Sequence, residues 1–393
     1  MDFTLTPDQL ELRDRARKAA EPWRAHVDAW DAEDRAPWPE IAAAIAEAGL
    51  LGLTMPAEYG GAGLTALDYV VAVEQLFTVS QSWIVAEPVF GSTGPGPSII
   101  LRAQAEQTRR KFVPDLVAGR KFCGIALTEP DHGSDLTGLT TSAVDGGDHW
   151  ILNGSKRFIT GCPVNELYAT FVRFDDIPGH RGIGVVVVED DTPGLRLERG
   201  AAFVGTRGIP HGEMHFDNAR VPKENLVRGP GHFAELMAAF NMERIHNSTL
   251  SLGLAEAAFA EAVAYVRNRQ AFGKPIMEFQ ATYHSLVEMR MAIDAHRMLT
   301  YRAAANAVDG LYPDVTESSM AKLSGCTMLP EVTLQAMILC GGDGTTYGAA
   351  GAPGTATQRL HRDSMAALVA GGSPPVLKNA IAAQLFPGHR FRQ

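Results

Sequence analysis

Phe122-Cys123-Gly124-Ile125-Ala126-Leu127-Thr128-Glu129-Pro130-Asp131-His132-Gly133-Ser134-Asp135 is where the chain changes its period. Before it the pattern is helical. Thr6-Pro7-Asp8-Gln9 reads as an N-cap, a proline at the first helical position and a capping-box glutamine, opening a helix to about Ala20. Pro39 to Ala48, closed by Gly49, and Thr65 to Ser80 read as further helices, so the first 121 residues look all-α. From Phe122 onward, Phe122–Leu127, His149–Thr160, Leu167–Phe174, Ile183–Glu189 and Glu213–Val221 are short β-rich runs punctuated by Gly, Pro and Asp. Asp145-Gly146-Gly147-Asp148 is a hairpin turn signal within them. After Gly231 the helical period returns over Phe233–Arg269, Phe279–Val308, Val315–Leu339 and Pro374–Leu385. The expected fold class is therefore α+β: an N-terminal helical domain (1–121), a middle β domain (122–230) and a C-terminal helical bundle (231–393). A site on such a chain belongs where the β domain meets the helical regions, because clefts favour domain interfaces.

The 393 residues, 46% hydrophobic and 20% charged, are ample for several packed regions with a large buried core. A formal charge of -10 argues against a broad basic surface for nucleic acid, while leaving room for a local arginine to hold a phosphorylated small molecule. The N-terminus lacks a basic segment followed by an apolar one, and no apolar run approaches the roughly 20 residues of a membrane helix, so a cytoplasmic location without membrane insertion is expected. Cys123, Cys162, Cys326 and Cys340 are scattered, a usage suited to a reducing compartment.

The loop Thr128–Asp135 follows a β run and is rich in groups that present backbone N–H and hydroxyls to a phosphate or a polar ring edge. Some 20 residues on comes Asn153-Gly154-Ser155-Lys156-Arg157-Phe158-Ile159-Thr160-Gly161, and inside the helical bundle comes Arg269-Gln270-Ala271-Phe272-Gly273-Lys274-Pro275-Ile276 with Phe279-Gln280. In that order, together with Pro56-Ala57-Glu58-Tyr59-Gly60-Gly61 near the front and Arg362-Asp363 near the end, the chain resembles the acyl-CoA dehydrogenase family over nearly its whole length.

The resemblance implies a middle domain of β-barrel or sandwich form, a C-terminal four-helix bundle, FAD as cofactor, a homotetramer and an electron-transfer flavoprotein as acceptor. It implies FAD contacts from Leu127, Thr128, Gly133, Ser134, Phe158, Ile159 and Thr160, the aromatic covering the isoalloxazine and the hydroxyl bonding its edge. Arg269, Phe272 and Gln280 would hold the adenine-diphosphate half of a neighbouring subunit's FAD, with Gly341, Gly342 and Ser373 completing the set. Two departures stand out. Phe158 replaces a tryptophan, and Ile338 stands where a glutamine commonly precedes the Gly341-Gly342 turn, ahead of a long loop through Gly351-Ala352-Pro353-Gly354.

Removing hydrogen from the α and β carbons of a thioester requires a carboxylate base with a raised pKa. The loop position many family members use is Gly371, in Ala370-Gly371-Gly372-Ser373, which has no side chain. A subgroup resembling isovaleryl-CoA and long-chain dehydrogenases carries the glutamate on the first long C-terminal helix before an arginine. That matches Glu243-Arg244, with Glu243 lying 269 − 243 = 26 residues before Arg269. Glu243 is the expected base, and the Gly371 N–H is the expected donor to the thioester carbonyl. Ser134, Asn241, Met242, Arg244 and Gly372 are placed along the acyl-CoA. An absent side chain at 371 further suggests a wide pocket and a branched, cyclic or bulky acyl group.

Other signals carry less. His211 and His215 lack the H-E-x-x-H arrangement, so no metal is expected, and Gly342-Asp343-Gly344 follows a helix rather than a strand, unlike a dinucleotide fingerprint. Asp68 and Glu87 are read as solvated or capping residues rather than substrate contacts. The competing functions are an acyl-CoA desulfinase, which Arg207-Gly208-Ile209-Pro210 resembles but in which both base positions lack a carboxylate, an N-hydroxylase, a nitroalkane oxidase, and a non-catalytic FAD-binding subunit of a hetero-oligomer.

Overall fold

The computed structural model describes residues 4–307, 312–347 and 356–388. Seven helices come first: α1 (Pro7–Ala20), α2 (Val27–Glu33), α3 (Trp38–Glu47), α4 (Ala66–Ser80), α5 (Glu87–Thr93), α6 (Pro95–Ile100) and α7 (Glu106–Val117). Thr6 caps α1 reciprocally with Gln9, as the sequence predicts. Asp68 does the same for α4 with Thr65, so its carboxylate satisfies helix-end donors.

Eight strands follow: β1 (Cys123–Ala126), β2 (Ser142–Asp145), β3 (His149–Thr160), β4 (Leu167–Phe174), β5 (Ile183–Glu189), β6 (Leu195–Arg199), β7 (His211–Pro222) and β8 (Leu226–Arg228). They form one sheet in the order β6-β7-β3-β2-β4-β5-β8, with β1 joining β4 in parallel. One inner core takes side chains from both ends of this order: Leu152 and Ile159 of β3, Met214 and Phe216 of β7, Tyr168 and Val172 of β4, and Val186 and Val188 of β5. The sheet therefore curls over itself, and the alternate residues Leu167, Ala169 and Phe171 face outward onto α6 and α7. The hairpin at 145–148 joins β2 to β3 where expected. The short strands β2, β6 and β8 and the helix at Thr357–Ala367 are not predicted from the sequence.

The last part comprises α8 (Phe233–Asn268), a two-stranded hairpin of β9 (Gln270–Ala271) and β10 (Lys274–Pro275), α9 (Gln280–Ala305), α10 (Val315–Cys340), α11 (Thr357–Ala367) and α12 (Pro374–Leu385). The loop at 351–354, singled out in the sequence, lies outside the described residues. Both α8 and the stretch Val315–Thr345 are long and apolar enough by length and composition to cross a membrane, which corrects the expectation that no run approaches that length. Their most apolar windows are 61% and 44% buried within the fold, so the apolarity of α8 mainly serves internal packing.

Polar contacts between layers fix their register. Glu74 of α4 pairs with Arg297 at 3.0 Å and accepts from the Tyr301 hydroxyl at 2.6 Å, both on α9. Arg362 of α11 is bidentate to Asp31 at the end of α2, at 3.0 and 2.5 Å, while Asp363 accepts from the Thr206 N–H at 2.6 Å. Gly205 is obligatory there, because a Cβ would lie 2.2 Å from the Arg362 carbonyl.

Within the β region, Lys156 of β3 is fully buried and donates to Glu129 Oε1 at 2.9 Å and to the Leu127 carbonyl at 3.2 Å. Glu129 also accepts from the Thr140 and Thr141 N–H groups at 2.7 and 2.8 Å. Burial pushes the Glu129 carboxyl up, but Lys156 and these donors override it and hold the group at about 2. Lys156→Met leaves a carboxylate buried without its cation and is expected to cost about 3 kcal/mol or more. A urea denaturation midpoint unchanged from wild type would show that the pair is not needed.

Candidate active site

Helix α8 is buried on every side from Asn241 to Ala255, yet this run contains a glutamate, an arginine, a histidine and two asparagines. Each needs a partner, since a polar group buried without one costs about 1–3 kcal/mol. Asn241 donates to the Pro313 carbonyl at 3.0 Å and accepts from Arg244 Nη1 at 2.9 Å. Ser248 bonds Thr300 of α9 at 2.7 Å. Asn247, one turn after Glu243, donates to Glu243 Oε1 at 2.8 Å and to the Glu243 carbonyl at 2.9 Å.

Glu243 is 9% exposed, and its Oε2 has no hydrogen-bond partner. One carboxylate oxygen is thus held and the other is free to accept a proton. Burial raises the group to about 7, against the pull of Asn247, Lys322 and Arg244. Lys322 of α10 is fully buried and donates to Cys326 Sγ at 3.0 Å and to the Ala367 carbonyl at the end of α11. It therefore secures the start of the loop that carries Gly371 while placing a positive charge near Glu243.

Gly371 has φ +72°, and a Cβ there would sit 2.9 Å from Asn247 Nδ2 and 3.1 Å from Glu243 Cγ. The expectation of a pocket widened at 371 is corrected: Glu243 and Asn247 already occupy the room that a side chain would take. Side chains at 371 and 243 compete for one volume.

The sequence reading of Glu87 is also corrected. It is neither solvated nor a free cap but 4% exposed, raised to about 8 by burial and by the nearby Glu243, with the Trp83 indole as its hydrogen-bond donor. Phe90, one turn along α5, packs on His246, one turn along α8 from Glu243, at 4.4 Å between ring centroids. His246 Nδ1 meets the Tyr69 hydroxyl at 2.7 Å, and burial drops its imidazole to about 3, so it stays neutral. Sequence reasoning missed Asn247, Lys322, Tyr69 and His246. The first was within reach, being four residues after Glu243 on the same helix face; the others are set by tertiary contact.

The predicted cofactor segments meet at the end of β3. The Arg157 N–H bonds the Thr128 carbonyl at 2.9 Å, tying the 128–135 loop to β3 alongside the Lys156–Glu129 pair. A β-bulge between Lys156 and Ile159 puts Phe158 at φ +60° and turns its ring outward, 52% exposed, with the Arg157 guanidinium 4.7 Å from its centroid. Thr128 and Thr160 are partly buried, Gly133 and Ser134 exposed, and Leu127 and Ile159 buried beneath. Loop, hydroxyls and an aromatic face are what a ring with a phosphate tail requires.

Arg269, Phe272 and Gln280 do not join this group. They are exposed, Phe272 at 96%, beyond the C-terminal end of α8, and Arg269 lies about 39 Å from Glu243 along that helix at 1.5 Å per residue. Gly341 and Gly342 are exposed at the end of α10, and Gly372 and Ser373 flank α12 partly buried. Met242 packs in the main helical core. Arg207 donates to the Asp31 carbonyl at 2.6 Å, so this feature of desulfinase resemblance has a structural use here.

Three family models match in chain order: acyl-CoA dehydrogenase N-terminal domain over residues 6–120, middle domain over 124–219 and C-terminal domain over 233–386. A 3-sulfinopropanoyl-CoA desulfinase of Advenella mimigardefordensis is 31% identical, covering 98% of this chain and 94% of that protein. A glutaryl-CoA dehydrogenase of Desulfococcus multivorans is 30% identical, covering 97% of each. Among solved structures, butyryl-CoA dehydrogenase of Megasphaera elsdenii superposes with a TM-score of 0.91 at 30% identity, covering 98% of this chain and 100% of that one.

Asn247→Ala removes a donor that lowers the Glu243 carboxyl, so the pH at which Glu243 ionises is expected to rise, by the worth of about one charge-assisted hydrogen bond. The carboxyl stretching band followed against pH by infrared difference spectroscopy measures this, and a titration point that stays put contradicts the contact.

Proposed function

The chain belongs to the acyl-CoA dehydrogenase family, and on that premise we propose that it is an α,β-dehydrogenase in which Glu243 removes the α proton of an acyl-CoA thioester. It is an oxidoreductase with FAD as cofactor. When bound, FAD accepts the hydride that leaves the β carbon, and the product is the 2-enoyl-CoA. The observation that carries the reading is the state of Glu243: buried, raised to about 7, one oxygen anchored by Asn247 and the other unpartnered. The desulfinase reading loses ground to this carboxyl, and so does that of a subunit relying on another chain for its base.

In this reading the Gly371 N–H faces the thioester carbonyl and stabilises the charge that develops on its oxygen when the proton leaves. Arg244, held by Asn241, and Lys322 keep positive charge beside a base that must be ionised to act. Ser134 lies along the acyl-CoA, while Met242 backs the site from the helical core. When FAD binds, Phe158 would stack on the flavin, and Leu127, Thr128, Gly133, Ile159 and Thr160 would hold it. The preference for a bulky acyl group loses its basis in Gly371, whose space is taken.

The distance from Glu243 to Arg269 supports assigning Arg269, Phe272 and Gln280, with Gly341 and Gly342, to the FAD of a neighbouring copy. An apolar face on α9 formed by Tyr283, Val287 and Met291, with Leu334 and Ile338 on α10, supports a homotetramer, since exposed apolar patches mark contact surfaces. We place the enzyme in the cytoplasm, consistent with four buried free cysteines, with an electron-transfer flavoprotein as acceptor and the domain divisions near residues 121 and 230.

Glu243→Gln is expected to retain FAD and to slow flavin reduction by acyl-CoA at least about 100-fold. In wild type the reduction rate should climb as pH rises through about 7, where the base becomes ionised. Near-normal reduction by the variant overturns the assignment. Arg269→Ala is expected to lower flavin content and tetramer fraction together; a fully flavinated variant of unchanged mass in solution rules out its role across subunits.

A further inference from the structure

Glu87 is an acid for which the reaction gives no use. It stands at the first position of α5, where acidic side chains usually face water, yet it is 4% exposed. It borders a cavity about the size of a single water, together with Trp38, Phe90, Thr160, Asn165 and Ile209. Asn165 is itself 5% exposed, and its Oδ1 has no hydrogen-bond partner. Among the described residues, the groups that act on the Glu87 carboxyl are the Trp83 indole and the like-charged Glu243, with no lysine or arginine. The contact between Phe90 and His246 sets α5 and α8 side by side, and Glu87 both borders this cavity and feels the charge of Glu243.

Such a wall suits one kind of ligand. Held as the neutral acid, Glu87 donates one hydrogen bond, and Asn165 Oδ1 lacks a donor. A hydroxyl accepts the first and supplies the second, and it tolerates either orientation of the asparagine amide. A carboxylate or sulfinate supplies no hydrogen and adds a negative charge beside the buried Glu87 carboxyl, on which no cation acts, and this is unfavourable.

We propose that Glu87 and Asn165 form a subsite for an uncharged oxygen, a hydroxyl, on the tail of the acyl group, and that Glu87 turns away tails ending in an acid. This deepens the reading of Glu243 as the base and rests on it. It also separates this chain from relatives named for glutaryl and 3-sulfinopropanoyl groups, both of which end in an acid.

The experiment uses the flavin-loaded enzyme and three matched thioester series across a range of chain lengths: tails ending in methyl, in hydroxyl and in carboxylate. At the best chain length, kcat/KM is expected to favour the hydroxyl over the methyl by about tenfold, the worth of one or two buried hydrogen bonds, and over the carboxylate by about 100-fold. Glu87→Leu should erase the preference for hydroxyl over methyl, and the isosteric Glu87→Gln should keep it while narrowing the gap to the carboxylate. Equal use of hydroxyl and carboxylate tails, or ratios that Glu87→Leu and Glu87→Gln leave unchanged, overturns the subsite. Dissociation constants from perturbation of the flavin absorbance read the same ratios without turnover. Wild type that binds with these preferences but reduces no flavin defeats the dehydrogenase reading alone; wild type that reduces flavin with flat ratios defeats the subsite alone.

Discussion

The ion pair between Arg362 and Asp31, 331 residues apart, closes the fold. With its neighbour Asp363 on the Thr206 N–H, it brings the N-terminal helices, the β region and α11 to one point. The loop with Gly371 leaves the end of that same helix, so its distance from Glu243 depends on the knot and on Lys322 gripping the Ala367 carbonyl. Charged groups of this kind add little net stability when desolvated, but they admit few alternative arrangements. Their contribution here is register: a slip of α11 by one residue would unpair Arg362, unseat Asp363 and carry Gly371 away from α8.

A second buried pair, Lys156 with Glu129, does the same for the opposite wall, fastening the 128–135 loop to β3 just before the bulge that turns Phe158 outward. The two walls are rigid for different reasons. One is a sheet edge whose ladder is broken at a chosen residue; the other is a helix buried on all sides, whose polar groups are matched one by one.

Much of this was legible in the sequence, because the signals are local. The capping box at Thr6 and Gln9, the continuous apolar runs of β4 and β5, and the length of α8 are written in adjacent residues, and the spacing from Glu243 to Arg269 follows from a single unbroken helix. What escaped depends on distant chain. Glu87 sits in a first helical turn and looks like an ordinary solvent-facing acid until α8 and Trp38 close over it. Nothing near Lys322 in sequence announces that it is wholly buried. The error over Gly371 had a similar source: a missing side chain was read as empty space, whereas close packing means that something else fills it. The helix α11 was missed although it is strongly amphipathic, because the glycine- and alanine-rich stretch before it hides where it starts.

The crowding between Gly371 and Glu243 has a historical consequence. A descendant that gained a glutamate at the loop while keeping the helical one would force two acids and a left-handed backbone into a volume that holds one of them. Transfer of the base from helix to loop therefore has no comfortable halfway form in which both are present. The open route runs through a chain lacking either carboxyl, inert as a dehydrogenase but still folded and able to hold its cofactor.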